Sequence, residues 1–161
     1  MPAKKITFLG FALAVALVLS YIESLIPFFF GVPGMKLGLA NAMVCSLLYM
    51  STWREAAAVN LLRILLSGLL FGNAFSIVYS LGGAFVSLII MLALKQIKEL
   101  SPVLVSACGG MGHNIGQILV AILVMKSVYL MYYLPFLLTS GAVTGVLIGV
   151  ITVGVIRRLK L

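Results

Sequence analysis

Long apolar runs alternate with short polar segments along the whole chain. A helix needs about 20 mostly apolar residues to cross the hydrocarbon core of a bilayer, and six runs have roughly this length, although the second is short. The pattern therefore predicts an all-α membrane protein with six transmembrane helices in a single transmembrane domain over residues 1–161. The helices are expected over residues 6–26, 35–50, 54–71, 74–94, 103–124 and 130–156.

Helix-breaking residues mark the connections between these runs. The segment from Pro27 to Gly34 contains two prolines and two glycines, so it is expected to be an irregular loop between the first two helices. Gly72 and Asn73 form a turn signal before the fourth helix. Pro102 suits the first turn of the fifth helix, where a backbone N–H has no partner to lose.

Positive charges are distributed unevenly around the predicted helices. With the N-terminus placed inside, eight of the 11 Lys and Arg residues lie on the cytoplasmic side, two lie outside, and Arg63 lies within a helix. Cytoplasmic loops of membrane proteins carry an excess of Lys and Arg, so both termini are expected to be cytoplasmic. The cytoplasmic set is Lys4, Lys5, Arg54, Lys95, Lys98, Arg157, Arg158 and Lys160, and the external pair is Lys36 and Lys126.

Composition supports the membrane assignment and narrows the chemistry. Hydrophobic residues make up 63% of the chain and charged residues 9%, whereas soluble domains average about 25% charged residues. The net charge of +8 does not indicate nucleic-acid binding, because the basic residues lie at the ends of apolar runs. Cys45 and Cys108 are interpreted as buried small hydrophobes. The first apolar run is too long for a signal peptide and lacks a clear cleavage site, so it is expected to be a retained helix.

Small residues recur at four-residue spacing on three of the predicted helices. Gly141, Gly145 and Gly149 lie on one face of the sixth helix, Gly112 and Gly116 on one face of the fifth, and Ala12 and Ala16 on the first. Such faces let helix backbones approach closely. They predict either packing within the chain or docking of another subunit.

Strongly polar groups inside the predicted spans are the candidates for function, because burying them in a membrane is costly. Under the predicted topology they cluster in the outer half of the bilayer, which predicts a polar cavity there, covered by the loop from Pro27 to Gly34. The expected substrate-binding residues are Glu23, Lys36, Asn41, Asn60, Arg63, Asn73, His113, Asn114 and Gln117.

Two interpretations of these groups remain open. In one, Glu23 and Arg63 form a structural ion pair and the amides bond between helices. In the other, Arg63, Lys36 and His113 bind the polar or anionic end of a ligand. One histidine and three acidic residues do not readily build a metal site, and no phosphate-binding loop is present. Catalysis, a metal and a cofactor are therefore not expected.

Two segments resemble a known family. They are the string from Gly34 to Asn41, Gly-Met-Lys-Leu-Gly-Leu-Ala-Asn, and the string from Gly112 to Gln117, Gly-His-Asn-Ile-Gly-Gln. With Glu23, Pro27 and Arg63 they resemble the membrane proteins labelled heptaprenyl diphosphate synthase component I, also called the Gx transporter family. That family is grouped with the S components of energy-coupling factor transporters, and the resemblance covers nearly the whole chain.

The resemblance implies a fold and a function. S components have six helices, bind a vitamin-like micronutrient near the outer face, and work with a membrane T component and ATPase subunits. By this resemblance Ala12 and Ala16 would dock the T component, and the substrate would be a vitamin, a quinone precursor or an isoprenoid intermediate. Two alternatives remain: a membrane accessory subunit of a prenyl diphosphate synthase or quinone-pathway enzyme, and a solitary transporter. The expected location is the plasma membrane of a prokaryotic-type cell.

Overall fold

The computed structural model describes residues 3–25 and 41–159, and 91% of these residues are helical. No strand occurs in this part of the chain, which confirms the all-α prediction. The elements in chain order are α1 (Ala3–Leu25), α2 (Asn41–Met50), α3 (Trp53–Phe71), α4 (Ala74–Lys95), α5 (Pro102–Met125), a 3-10 helix (Val128–Tyr133) and α6 (Leu134–Leu159).

Local sequence signals explain where the central helices begin. Thr52 and Glu55 form a capping box at the start of α3: the Thr52 hydroxyl accepts a hydrogen bond from the Glu55 backbone N–H, and the Glu55 carboxylate accepts one from the Thr52 N–H. Asn73 and Ser101 cap α4 and α5 in the same way through their side-chain oxygens. Pro102 occupies the first turn of α5, as predicted.

The start of the last helix differs from the prediction. A single helix was expected over residues 130–156, but Val128–Tyr133 forms a 3-10 helix and α6 begins at Leu134. Pro135 gives the physical reason. It has no N–H to donate to the carbonyl of Met131, and its ring would clash with the preceding turn of an α-helix.

Four helices are long and apolar enough to cross a membrane: α1, α4, α5 and the segment Val128–Arg158. They identify the chain as a membrane protein. The apolar runs predicted six spans, which is two more than these four helices. The third predicted span, α3, has 19 residues but carries Arg54, Glu55 and Arg63, and α2 is described over 10 residues.

Glycine contacts join α4, α5 and α6 into one tightly packed unit. A Cβ on Gly145 of α6 would come within 2.6 Å of backbone atoms of Ser106 and Ala107 on α5. On the other side of α5, a Cβ on Gly116 would come within 2.3 Å of the Gly82 carbonyl oxygen of α4. Of the two interpretations of these glycine faces, the structure therefore supports packing within the chain.

The remaining helices close the bundle. α1 packs against α3, α3 against α4, and α2 contacts α1, α3 and α6. Two links tie the helix ends together: Lys5 lies 2.6 Å from the Glu55 carboxylate, and the Lys95 ammonium donates a hydrogen bond to the Leu48 carbonyl. This end of the bundle is called the basic end, and its basic residues are Lys4, Lys5, Arg54, Lys95, Lys98, Arg157 and Arg158.

The opposite end is marked by aromatic side chains. Tyr129, Tyr132 and Tyr133 all lie on the 3-10 helix that follows α5, and Tyr132 is 82% exposed. Exposed tyrosines at helix ends are typical of the boundary between lipid and water. This end is called the tyrosine end. The two ends provide the reference for the depth of each polar group.

Candidate functional site

Arg63 on α3 lies in the interior of the bundle and is only 3% exposed. Its Nε and Nη2 donate hydrogen bonds to Asn60 Oδ1 at 3.1 and 2.6 Å. Its Nη1 donates to the hydroxyl of Ser20 on α1 at 3.4 Å. Because Asn60 lies one helical turn before Arg63, the helix itself presents the acceptor to the guanidinium.

Glu23 balances this buried charge. It lies nearly one turn beyond Ser20 on the inward face of α1, is 3% exposed, and interacts electrostatically with Arg63. A buried guanidinium without an opposite charge is strongly destabilising, so the two residues stabilise each other. Arg63 therefore already has a carboxylate and two neutral acceptors within the chain, which supports the structural interpretation of this pair.

His113 lies at the same depth as Arg63. Gly83 of α4 packs directly on the His113 ring: a Cβ there would come within 2.8 Å of Nδ1 and Cε1. Gly68 of α3 packs on Ile77 of α4. α3 and α4 are antiparallel, so equal steps away from the Gly68–Ile77 contact stay at the same level. Five residues before Gly68 is Arg63, and five residues after Ile77 is the residue directly before Gly83. Arg63 is therefore level with the part of α4 that contacts His113.

Gln117 lies one turn beyond His113, on the same face of α5 and closer to the tyrosine end. It is 0% exposed. Neither its Oε1 nor its Nε2 has a hydrogen-bond partner among the residues that the structure describes. Two further buried hydroxyls on α4, those of Ser76 and Ser87, are in the same situation. Unbonded polar groups are rare in protein interiors, so these atoms call for a partner from outside the described residues: the rest of the chain, water or a ligand.

Two of the predicted binding residues make hydrogen bonds within the chain. The Asn114 amide donates to the Leu137 carbonyl of α6 at 2.6 Å and joins α5 to α6. Asn73 is exposed and caps α4, accepting a hydrogen bond from the Ser76 backbone N–H at 2.8 Å. The sequence showed that these amides were polar, but it did not show which of them would find a partner nearby.

Asn41 is buried at the start of α2, close to the level of Arg63. α2 and α3 are antiparallel and are joined by Ser51 and Thr52, so Asn41, ten residues before Ser51, is level with the position ten residues after Thr52, directly before Arg63. The carbonyl of the next residue, Ala42, accepts a hydrogen bond from Thr152 on α6 at 3.4 Å. Ala42 also lines an apolar groove with Leu19 of α1, the neighbour of Ser20.

One predicted binding residue, Lys36, lies outside the described residues. The same holds for the predicted covering loop, Pro27 to Gly34, with its three phenylalanines, and for the first part of the predicted second helix, residues 35–40. The described polar groups buried near the level of Arg63 are therefore Glu23, Asn41, Asn60, His113 and, one turn further, Gln117.

Ala12 and Ala16, the predicted docking residues, lie on the inward face of α1. Both are buried, at 1% and 0% exposure. Ala12 nevertheless lines an apolar groove of about 340 Å³ between α1, α2 and α6, together with Phe8, Phe11 and Met43. A partner could reach Ala12 through this groove, whereas Ala16 is enclosed by the chain itself.

Sequence reasoning did not select Ser20, which is an acceptor for Arg63. A signal for it was present, because Ala12, Ala16, Ser20 and Glu23 follow one another at spacings of four, four and three residues. These spacings place all four on one helix face, and all four are buried. The polar end of that small-residue stripe is the part that contacts α3.

No group of three His, Cys, Asp or Glu side chains that could hold a metal ion occurs among residues 3–25 and 41–159. Cys45 is buried in the apolar core, as predicted, and the neighbouring Ser46 of α2 lies 3.3 Å from Thr152 of α6. The chemistry available in the described interior is therefore hydrogen bonding and charge.

Comparison with protein families gives a match over most of the chain. The model of the family described as heptaprenyl diphosphate synthase component I matches residues 12–155, which confirms the resemblance drawn from the sequence. No curated protein and no solved structure matches the chain. The matched range includes every described residue of the polar interior and the two alanines of α1.

Proposed function

The chain belongs to the family described as heptaprenyl diphosphate synthase component I, and we propose that it is the substrate-binding membrane subunit of a transporter. It captures a small vitamin-like, quinone-precursor or isoprenoid-type metabolite, and a separate ATPase module supplies the energy. The observation that carries this proposal is the buried polar interior, which ends in the Gln117 amide, and this amide has no partner among residues 3–25 and 41–159.

A buried polar interior lowers the stability of the bundle when its groups lack hydrogen bonds. Each buried polar group without a hydrogen bond costs about 1–3 kcal/mol, which is a large fraction of the stability of a small protein. In a membrane the same groups mark substrate paths and binding sites. A ligand that bonds to these groups recovers the cost, and binding is then coupled to the stability of the bundle.

The charge distribution supports an orientation for this subunit. The basic end carries seven Lys and Arg residues within the described chain, and we place it in the cytoplasm. The chain then crosses the plasma membrane six times with both termini inside. The polar groups beyond Arg63 are nearer the tyrosine end, so the ligand enters from outside.

Catalysis is assigned to other proteins. A prenyl diphosphate synthase holds magnesium and diphosphate with carboxylates, and this chain has three acidic residues and no aspartate. Of the three acids, Glu23 interacts with Arg63, and Glu55 bonds to Lys5 and to the start of α3. ATP hydrolysis likewise belongs to a partner, because the chain has no phosphate-binding loop.

A second function is favoured by the family description itself. That description names a component of heptaprenyl diphosphate synthase, so the chain would be a membrane accessory subunit beside a soluble synthase. The apolar grooves between α1, α2 and α6 would then hold a prenyl chain or an anchor of the synthase. The buried polar interior has no evident use in this alternative.

The site assignment is tested by native mass spectrometry of the protein purified in mild detergent from the membranes of its own source. We expect the wild-type protein to carry a bound small molecule and His113→Ala to lose it. Asn73→Ala is the matched control, because Asn73 is an exposed helix cap, and it should retain the molecule. Retention of the same molecule by both His113→Ala and Arg63→Ala would refute the assignment.

A further inference from the structure

Gln117 differs from three other side-chain amides in having no hydrogen-bond partner in the described part of the chain. Asn60 accepts from Arg63, Asn73 caps α4, and Asn114 donates to Leu137. Gln117 is 0% exposed, and both its donor and its acceptor lack a partner among the described residues. A carboxamide is the one neutral side chain that offers a donor and an acceptor side by side.

The charge of the interior is already balanced. Among the described residues, the Asp, Glu, Lys and Arg side chains buried away from the two ends are Glu23 and Arg63, and these interact with each other. The Arg63 guanidinium also bonds to Asn60 and Ser20. An anionic ligand group would have to displace these partners or be buried without compensation, and both are costly.

The position of Gln117 determines which part of a ligand it could contact. It lies one turn from His113 toward the tyrosine end, on the same buried face of α5. Arg63 is at the level of His113, so Gln117 lies beyond the charged pair on the side from which the ligand is proposed to enter. A ligand arriving from that end would reach the amide before it reaches the ion pair.

From these observations we infer that the Gln117 amide recognises the ligand through an uncharged group that presents a hydrogen-bond donor beside an acceptor. A carboxamide, an imide or a lactam edge has this pattern. The inference rests on the proposed function, because it assigns the substrate class of the same site. It replaces the expectation that the buried cations hold an anionic head.

The first test asks whether Gln117 has a partner within the protein. Gln117→Leu and Asn114→Leu are compared with the wild type in ligand-free protein, by thermal unfolding followed with a thiol-reactive dye. Asn114→Leu removes a bond to Leu137 and should lower Tm by about 2–8 °C. Gln117→Leu removes an amide that bonds to no residue of the described chain, so its Tm should equal or exceed that of the wild type. A lowered Tm for Gln117→Leu would show a structural role and overturn the inference.

The second test asks which charge the site accepts. Gln117→Cys is placed in a Cys45→Ala, Cys108→Ala background and treated with neutral, cationic and anionic methanethiosulfonates. Rates are divided by those for Tyr132→Cys, which is freely exposed at the tyrosine end. The neutral reagent should react at position 117, and both charged reagents should be slowed at least about 10-fold relative to it, as a lost 1.4 kcal/mol would produce. The Cys45 thiol, which is enclosed in the core, is measured in a separate Cys108→Ala protein as the control for a sealed position.

The outcomes separate this inference from the function on which it depends. Equal relative rates for the anionic and neutral reagents would overturn the uncharged-ligand assignment and leave a binding site in place. Reaction no faster than that of the Cys45 thiol would show that Gln117 is sealed within the protein, which also overturns the inference. A failure of the proposed function itself would instead appear as the absence of any bound small molecule in the wild-type protein.

Discussion

The contact between α5 and α6 makes a strong prediction about Gly145. A Cβ at this position would come within 2.6 Å of the Ala107 Cα and the Ser106 carbonyl oxygen. Ordinary van der Waals contact begins at 3.4 Å, so the two backbones would have to separate by about 0.8 Å at their crossing. Both atoms belong to a helix backbone and cannot turn away as the end of a side chain could. Gly145→Ala should therefore destabilise the bundle.

The magnitude follows from comparison with Gly154 in the same helix. A Cβ on Gly154 would meet nothing within 4 Å, so Gly154→Ala should gain the helix preference of alanine, about 0.8–1.0 kcal/mol. Gly145→Ala gains the same preference but also incurs the overpacking cost, about 1–3 kcal/mol. The difference between the two variants isolates that cost. At about 2–4 °C per kcal/mol, it corresponds to a Tm difference of about 2–12 °C.

Thermal unfolding in detergent with a thiol-reactive dye measures this difference, because Cys45 is fully buried until the bundle opens. Cys108 is only partly buried and is replaced by alanine in both variants. Gly145→Ala should melt below Gly154→Ala by the stated amount. Equal melting temperatures would refute the close contact between α5 and α6, and with it the interpretation of the glycine face as internal packing.

Two further predictions concern the polar contacts. Arg63→Leu should lower the free energy of unfolding by about 3–5 kcal/mol, because it leaves the Glu23 charge buried alone. Adding Glu23→Gln should restore much of that loss. Thermal unfolding of the wild type and the two variants checks this, and a double variant no more stable than Arg63→Leu would contradict the pairing. At the basic end, Thr52→Ala should cost about 0.5–2 kcal/mol through the lost α3 cap, and Lys5→Ala should cost less, because Lys5 is 38% exposed and its pair with Glu55 is screened by water. A larger effect of Lys5→Ala in the same assay would show that the ion pair, and not the cap, fixes the start of α3.

The apolar runs predicted the helices well because one rule governs them. A membrane-spanning helix must form all its backbone hydrogen bonds internally and present an apolar surface. The residues of the segment itself therefore determine its length and where it begins and ends. The starts of α3, α4 and α5 follow Thr52, Asn73 and Ser101, which cap them. Pro135 is a similar local signal, but the apolar run alone did not predict that α6 begins only at Leu134.

The polar interior was only partly predictable, because a residue's type does not show whether it has a partner. Asn114 and Gln117 are three residues apart and both fully enclosed, yet the first bonds to α6 and the second has no partner in the described chain. That difference depends on which neighbouring helix each side chain meets.

The measurement that tests the central claim most directly is mass spectrometry of the proteins that co-purify with this chain from native membranes in mild detergent. We predict that a membrane T component and ATPase subunits co-purify with the wild type. Ala12→Trp should lose them, because Ala12 lies in the groove between α1, α2 and α6. Ala14→Trp, on the exposed face of α1, should retain them. Recovery of a soluble prenyl diphosphate synthase without ATPases would contradict the transporter account and support the accessory role.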